Sequence, residues 1–91
     1  MTRRVILTGN AEKELKALDR PVARRIIEKL KSLVAGEAVA VTRLRSFAPE
    51  GPAVYRLRVG DYRVLFRLEG DDLVVDVIAH RAEVYKLLRR R

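Results

Sequence analysis

The stretch from Tyr55 to Leu68 constrains this chain more than any other. Val54-Tyr55-Arg56-Leu57-Arg58-Val59 alternates, Gly60-Asp61 turns the chain, and Tyr62-Arg63-Val64-Leu65-Phe66-Arg67-Leu68 follows. Such a pattern reads as a two-residue β-hairpin, with glycine first in a type II′ turn that needs a positive φ. Val59 then pairs with Tyr62, Arg58 with Arg63, Leu57 with Val64 and Arg56 with Leu65. Paired residues share a face, and faces alternate along each strand. One face therefore holds Tyr55, Leu57, Val59, Tyr62, Val64, Phe66 and Leu68, and it needs a core. The other holds Arg56, Arg58, Arg63 and Arg67, with Val54 and Leu65 among them. A slip of one residue would mix the two sets, so the register is well specified.

The rest of the chain supplies what that hairpin needs. Arg3 to Leu7 reads as a strand. Thr8-Gly9-Asn10 breaks it and offers an N-cap at Thr8 or Asn10. Ala11, Leu15 and Leu18 mark one helix face. Asp19-Arg20-Pro21 starts a second helix with Val22, Ile26, Leu30 and Leu33 on its stripe, and Gly36 is its stop. The two helices form an αα-hairpin that a sheet must cover. Glu37 to Pro52 reads as a loop, with a short strand or turn around Val41 to Leu44. Glu69-Gly70-Asp71-Asp72 turns into a last strand, Leu73 to Ala79, completing an antiparallel meander. His80 to Arg91 is a short helical or irregular tail. Where the first strand pairs, and in which direction, stays open. Ninety-one residues make one domain, 1–91, with an α+β fold of order β-α-α-β-β-β.

Composition narrows the function. Lys plus Arg number 20 against 12 acids, a net charge of +8, and the excess falls on both halves of the chain. That field attracts polyanions such as nucleic acid, an anionic membrane or an acidic protein. With no Cys and one His, no disulfide framework, thiolate nucleophile or self-contained zinc site is expected, and no metal or cofactor is called for. No apolar run approaches the roughly 20 residues of a membrane span. Val5-Ile6-Leu7 is too short for a signal peptide, so the expected compartment is the cytoplasm.

The arginine face carries the chemistry. Arg58 opposite Arg63 costs stability, up to about 1 kcal/mol for like charges across a ladder. No acid in the hairpin shares that face, since Asp61 lies in the turn. Plain solvated arginines that discourage edge pairing are an ordinary alternative. Absence of a local counter-charge favours a bound phosphate, which the planar guanidinium fork grips well. His80-Arg81-Ala82-Glu83-Val84-Tyr85 follows at the sheet's end. Arg81 extends the cations, Tyr85 offers a stacking ring or a proton handler, and His80 offers acid–base capacity near neutral pH. A lone His is more often structural, and Tyr85 more often packs.

The segment Tyr55 to Phe66, with the string His80 to Tyr85, resembles the RelE/ParE toxin superfamily of type II toxin–antitoxin modules. The order strand, two helices, three strands agrees, so the resemblance spans nearly the whole chain, and the combined pattern is closer to the RelE side. The resemblance implies a ribosome-dependent endoribonuclease that cuts mRNA in the A site without a metal, the ribose 2′-OH attacking the adjacent phosphate and the 5′-oxygen leaving. It implies roles for Arg56, Arg58, Arg63, Arg81 and Tyr85; joined to the residue-level reading, Arg58, Arg63, Arg81 and Tyr85 are the expected catalytic residues and Arg56, Arg67 and His80 the expected RNA contacts. Its partners are a cognate antitoxin, the ribosome and mRNA, with no membrane and no small-molecule cofactor. Arg stands at 56 and 58 where the family often has lysine. Arginine does not lose its proton, so a general-base role falls to Tyr85 or His80. A ParE-like inhibitor of DNA gyrase, or a non-catalytic nucleic-acid-binding or antitoxin-binding module, would share the fold.

Overall fold

The computed structural model describes residues 4–37, 39–44 and 53–89; the side chains at 85 and 87–89 lie outside the described set. The elements are β1 (Arg4–Leu7), α1 (Gly9–Lys16), α2 (Arg20–Val34), β2 (Val41–Leu44), β3 (Val54–Val59), β4 (Tyr62–Glu69), β5 (Asp72–His80) and α3 (Arg81–Arg89). The expected α+β architecture is present: one sheet of order β1-β5-β4-β3-β2 lies between the α1–α2 pair and α3. The question of the first strand is answered, because β1 runs parallel to β5, with Val5 beside Leu73 and Leu7 beside Val75. The sheet is thus antiparallel except at that edge. A chain that leaves β1 through two helices can return to its far side only by a long crossover, and a parallel neighbour is what such a connection permits. The short strand at Val41 to Leu44 is also real, and pairs with Leu57 to Val54 of β3.

Local chemistry places the elements. The Thr8 hydroxyl accepts from the Ala11 amide at 3.2 Å, so Thr8 is the N-cap of α1. α2 ends in a Schellman motif, in which the Glu37 amide donates to Ser32 and the Gly36 amide to Leu33 while Gly36 takes φ +81°. Gly60 and Gly70 take φ +57° and +59° at the two hairpin turns, as type II′ geometry requires.

The hairpin register is the one the alternation dictates: Arg58 faces Arg63, Leu57 faces Val64 and Tyr55 faces Phe66. Leu57, Val59, Val64 and Phe66 join Ile26 and Leu30 of α2 and Ala11 of α1 in the main core. Tyr55 stacks on Phe66 with ring centroids 5.4 Å apart, a cross-strand pair that adds to its burial. Two expectations need correction. Leu68 is exposed, lining a surface hollow together with Leu33 of α2 and Val41 of β2. The arginine face is not wholly open either: Val84 of α3 is fully buried there against Leu65 and Val77, with Val54, Leu44 and Ala79 around them. The tail is therefore a packed helix and makes a second, smaller core.

A bulge between β4 and β5 has consequences for charge. Leu65 pairs with Val77 and Phe66 with Val75, leaving Asp76 as the extra residue. The parity of β5 changes across it: Leu73 and Val75 face the main core, and so does Ile78. The freed Asp76 carbonyl accepts from the Asn10 side chain at 3.2 Å. Beyond β1, Glu14 of α1 closes the sheet edge by accepting the Ile78 amide at 2.9 Å.

Candidate functional site

The β3–β4 turn and the β5–α3 junction meet at one end of the sheet. Tyr62 pairs with His80, so the strand that ends at His80 delivers Arg81 beside Asp61. The Arg81 amide donates to the Asp61 carbonyl at 2.7 Å, and its Nε lies 3.9 Å from an Asp61 carboxylate oxygen. Arg58, Arg63 and Arg81 are thus brought to one corner by backbone pairing alone.

Their environments differ sharply. Arg58 is exposed and has no ionic partner among the described residues. Arg81 is also exposed, with the loose Asp61 contact as its ion pair. Arg63 is only 9% exposed. Its Nη1 donates to the carbonyls of Gly60 and Tyr62, both at 2.9 Å, and its buried Nε has no partner. Arg56 is half-buried across from Leu65.

Arg67 departs most from expectation. Its Nε donates to Asp76 at 2.9 Å, Nη2 reaches the same carboxylate at 3.4 Å, and Nη1 pairs with Glu69. It also sits four residues from Arg63, roughly 13 Å along the strand. The bulge brings one neutralising acid, Asp76 of β5, and the last residue of β4, Glu69, supplies a second. Arg67 is therefore a structural ion-pair member and lies apart from the corner.

His80 stands elsewhere as well. It shares a ladder position with Tyr62, whose ring it meets edge-on at 5.6 Å. This is the helix-hairpin face, opposite the arginines. Its Nδ1 accepts from the Ala82 amide at 3.2 Å, so the imidazole caps α3. Tyr85 falls in α3, four residues after Arg81; its side chain lies outside the described residues.

Two residues beyond those expected belong to this corner. Asp61 touches Arg81, a contact that the strand length from Asp72 to His80 could have revealed had β5 been registered on β4. Arg25 of α2 reaches the turn: its Nη1 lies 3.3 Å from where a side chain on Gly60 would begin. Nothing in the local sequence signals that approach. Among the described residues, no group of acids and histidines has the arrangement of a metal site, and no helix is long and apolar enough to cross a membrane.

The sequence matches the family described as the ParE toxin of type II toxin–antitoxin systems over residues 5–85, and the chain belongs to that family, within the RelE/ParE superfamily. Its fold is similar to that in the archaeal RelE–RelB complex from Pyrococcus horikoshii, with a TM-score of 0.70 and 28% identity, covering 89% of this chain and 97% of that one. It is also similar to the toxin–antitoxin complex RelBE2 from Mycobacterium tuberculosis (TM-score 0.73, 22% identity, 89% and 100% covered). A third likeness is the RelB–RelE complex from Methanococcus jannaschii (TM-score 0.70, 19% identity, 90% and 96% covered). No curated protein shows a significant match to the sequence. The chain is a type II toxin of this superfamily.

Proposed function

We propose that this toxin is a metal-independent endoribonuclease that cuts mRNA in the ribosomal A site. The observation that carries the reading is the corner where Arg58, Arg63 and Arg81 converge, with two of the three guanidinium groups exposed. In-line attack of a ribose 2′-OH gathers negative charge on the phosphate oxygens, and preorganised cations aimed there are the largest aid to such a step. Arg58 and Arg81 are the groups that reach the phosphate. The 2′-oxygen bonds to phosphorus as the bond to the 5′-oxygen breaks; the proton leaves the 2′-OH for a base, and another returns to the 5′-oxygen. Tyr85 is the candidate for base stacking or proton transfer. His80 serves less well, because its Nδ1 is already engaged at the helix cap. The strand Arg56 supplies positive potential to the incoming RNA.

Partners follow from the same surface. A cognate antitoxin with acidic segments would cover the corner, and the similar folds solved as RelE–RelB complexes support a partner of that kind. The ribosome and mRNA are the targets, which places the toxin's action in the cytoplasm. The family description, ParE toxin, favours a second reading, inhibition of DNA gyrase by the same fold without catalysis. Inducible expression with primer-extension mapping of cellular mRNA separates the two. Codon-phased cleavage sites with arrested protein synthesis support the nuclease; intact transcripts with DNA damage support the gyrase reading.

A further inference from the structure

We infer that Arg25 of α2 is an RNA-binding residue, which holds the message on the side of the β3–β4 turn opposite Arg58 and Arg63; this rests on the nuclease reading above. Arg25 is exposed and has no ionic partner among the described residues. Glu28, the acid nearly one helical turn further on, forms no ion pair with it there. The charge is therefore open to a ligand. Its place is fixed by the core, because Ile26, next to Arg25, and Val59, next to Gly60, are buried in the same cluster. The Arg25 Nη1 lies 3.3 Å from where a side chain on Gly60 would begin, and apart from residues 59–61 no other described atom comes within 4 Å of that point. Glycine at 60 thus leaves the guanidinium lying against the turn, with open space around it.

Two elements other than the hairpin bring cations to this turn. Arg25 comes from α2, on the sheet face that carries Leu57, Val59 and Val64, while Arg58 and Arg63 share the opposite face. Arg81 comes from the β5–α3 junction to the next residue, Asp61. The Asp61 carboxylate makes its 3.9 Å contact with Arg81 and forms no ion pair with Arg25. An RNA strand whose scissile phosphate lies among the arginines of the corner passes the rim of the turn as it continues, and Arg25 meets a neighbouring phosphate there. A planar guanidinium grips phosphate oxygens in pairs. That phosphate does not change charge during the reaction, so the contact strengthens binding and leaves the chemical step alone.

The test is steady-state cleavage of A-site mRNA on ribosomes programmed with a defined message, at several salt concentrations. Arg25→Gln keeps a good helix former at an exposed position, so the variant folds. It raises KM for the ribosome complex about tenfold, the scale of one hydrogen bond to a charged group, and leaves kcat within about twofold. The slope of log KM against log salt concentration falls by about 0.7, the share of one phosphate contact on a single strand. Arg25→Lys keeps the charge and recovers most of both effects. Arg24→Gln removes the same charge about 100° around the same helix, and its KM stays close to that of the wild type. Equal rises in KM for Arg24→Gln and Arg25→Gln overturn the inference, because the general field and not a contact would then act. A fall in kcat with KM and the salt slope unchanged also overturns it, and makes Arg25 a brace for the turn. Weaker capture of a co-expressed antitoxin with cleavage unchanged overturns it too, and gives Arg25 to that partner. A wild-type protein that leaves A-site mRNA uncut overturns the nuclease reading itself, and this inference with it.

Discussion

Arg63 and Arg67 lie on the same strand and the same face, yet the two ends of β4 treat them oppositely. At the turn end, Arg63 is buried against backbone carbonyls, with Arg58 and Arg81 beside it and a single loosely held acid, Asp61. At the far end, Arg67 is held by Asp76 and Glu69. The strand's own alternation does not distinguish them. The difference comes from the acids in reach: the bulge in β5 turns Asp76 toward Arg67 and Glu69 follows it on β4, while the regular ladder at the other end sets Ala79 opposite Arg63. The exposed cations at the turn end therefore keep only the loose Asp61 contact.

The sharpest way to break this comparison is to remove a cation at each end. Replacing an exposed cation at the turn, Arg58→Gln or Arg81→Gln, lowers A-site cleavage by roughly 10²–10³-fold, the scale of losing one preorganised donor to a transition-state anion. Arg67→Gln leaves cleavage within about threefold. Time courses on programmed ribosomes measure both. Equal losses at the two ends would mean that Arg67 leaves its carboxylates for RNA, and the contrast would collapse.

The same substitution reverses the order in stability. Arg67→Gln leaves Asp76 half-buried without its charge partner, a loss of about 1–2 kcal/mol for a charge-assisted hydrogen bond. In a domain of this size each kcal/mol lowers Tm by about 4–8 °C. Arg58→Gln removes a like-charge neighbour of Arg63, so its Tm holds or rises slightly. A thermal melt in which Arg58→Gln is the less stable variant contradicts the assignment of charge at the two ends.

The two hairpin glycines refine the contrast further. Both have positive φ, so Ala at either strains the backbone by about 1 kcal/mol. At Gly70 nothing lies within 4 Å of the new methyl group, whereas at Gly60 the Arg25 guanidinium lies at 3.3 Å. Gly70→Ala lowers Tm alone. Gly60→Ala lowers Tm and cleavage together, because it disturbs the turn that Arg63 and Arg81 grip. Unchanged cleavage in Gly60→Ala would show that the turn's shape does not matter to the corner.

Much of this was legible in the sequence because the hairpin carries its own ruler. Alternation around Gly60-Asp61 fixes the partners from Val54 to Arg67, and the turn glycine fixes the register. The two helices follow from spacing and caps in the same way. The bulge was not legible: Leu73 to Ala79 is apolar except for Asp76, and an apolar run does not reveal on which side an extra residue falls. Without the bulge, neither the pairing of Arg67 nor the parity of Ile78 can be read. His80 was open to misreading for a related reason, since capping depends on where α3 begins and the tail's helical period is short. The fate of Arg63 depends on carbonyl directions at the turn, which side-chain patterns do not encode.

Glu14 gives the smallest effect, and its sign can be worked out. Its carboxyl pKa is raised, chiefly because burial penalises the charged form, and the hydrogen bond from the Ile78 amide opposes that in part. A raised folded-state pKa means that the folded protein binds this proton more tightly than the unfolded chain does. The contribution is favourable to folding at low pH and is lost as pH rises through the folded pKa. Glu14→Gln keeps an oxygen that accepts the Ile78 amide and the Asn10 side chain, but carries no charge to desolvate. The variant is therefore slightly more stable than the wild type at pH 7, and the advantage shrinks as pH falls below the Glu14 pKa. Paired melts at pH 7 and pH 4 measure it. A variant less stable at pH 7 would mean that the charged acceptor on Ile78 outweighs desolvation. The edge of β5 would then rely on the Glu14 charge as the far end of β4 relies on Asp76.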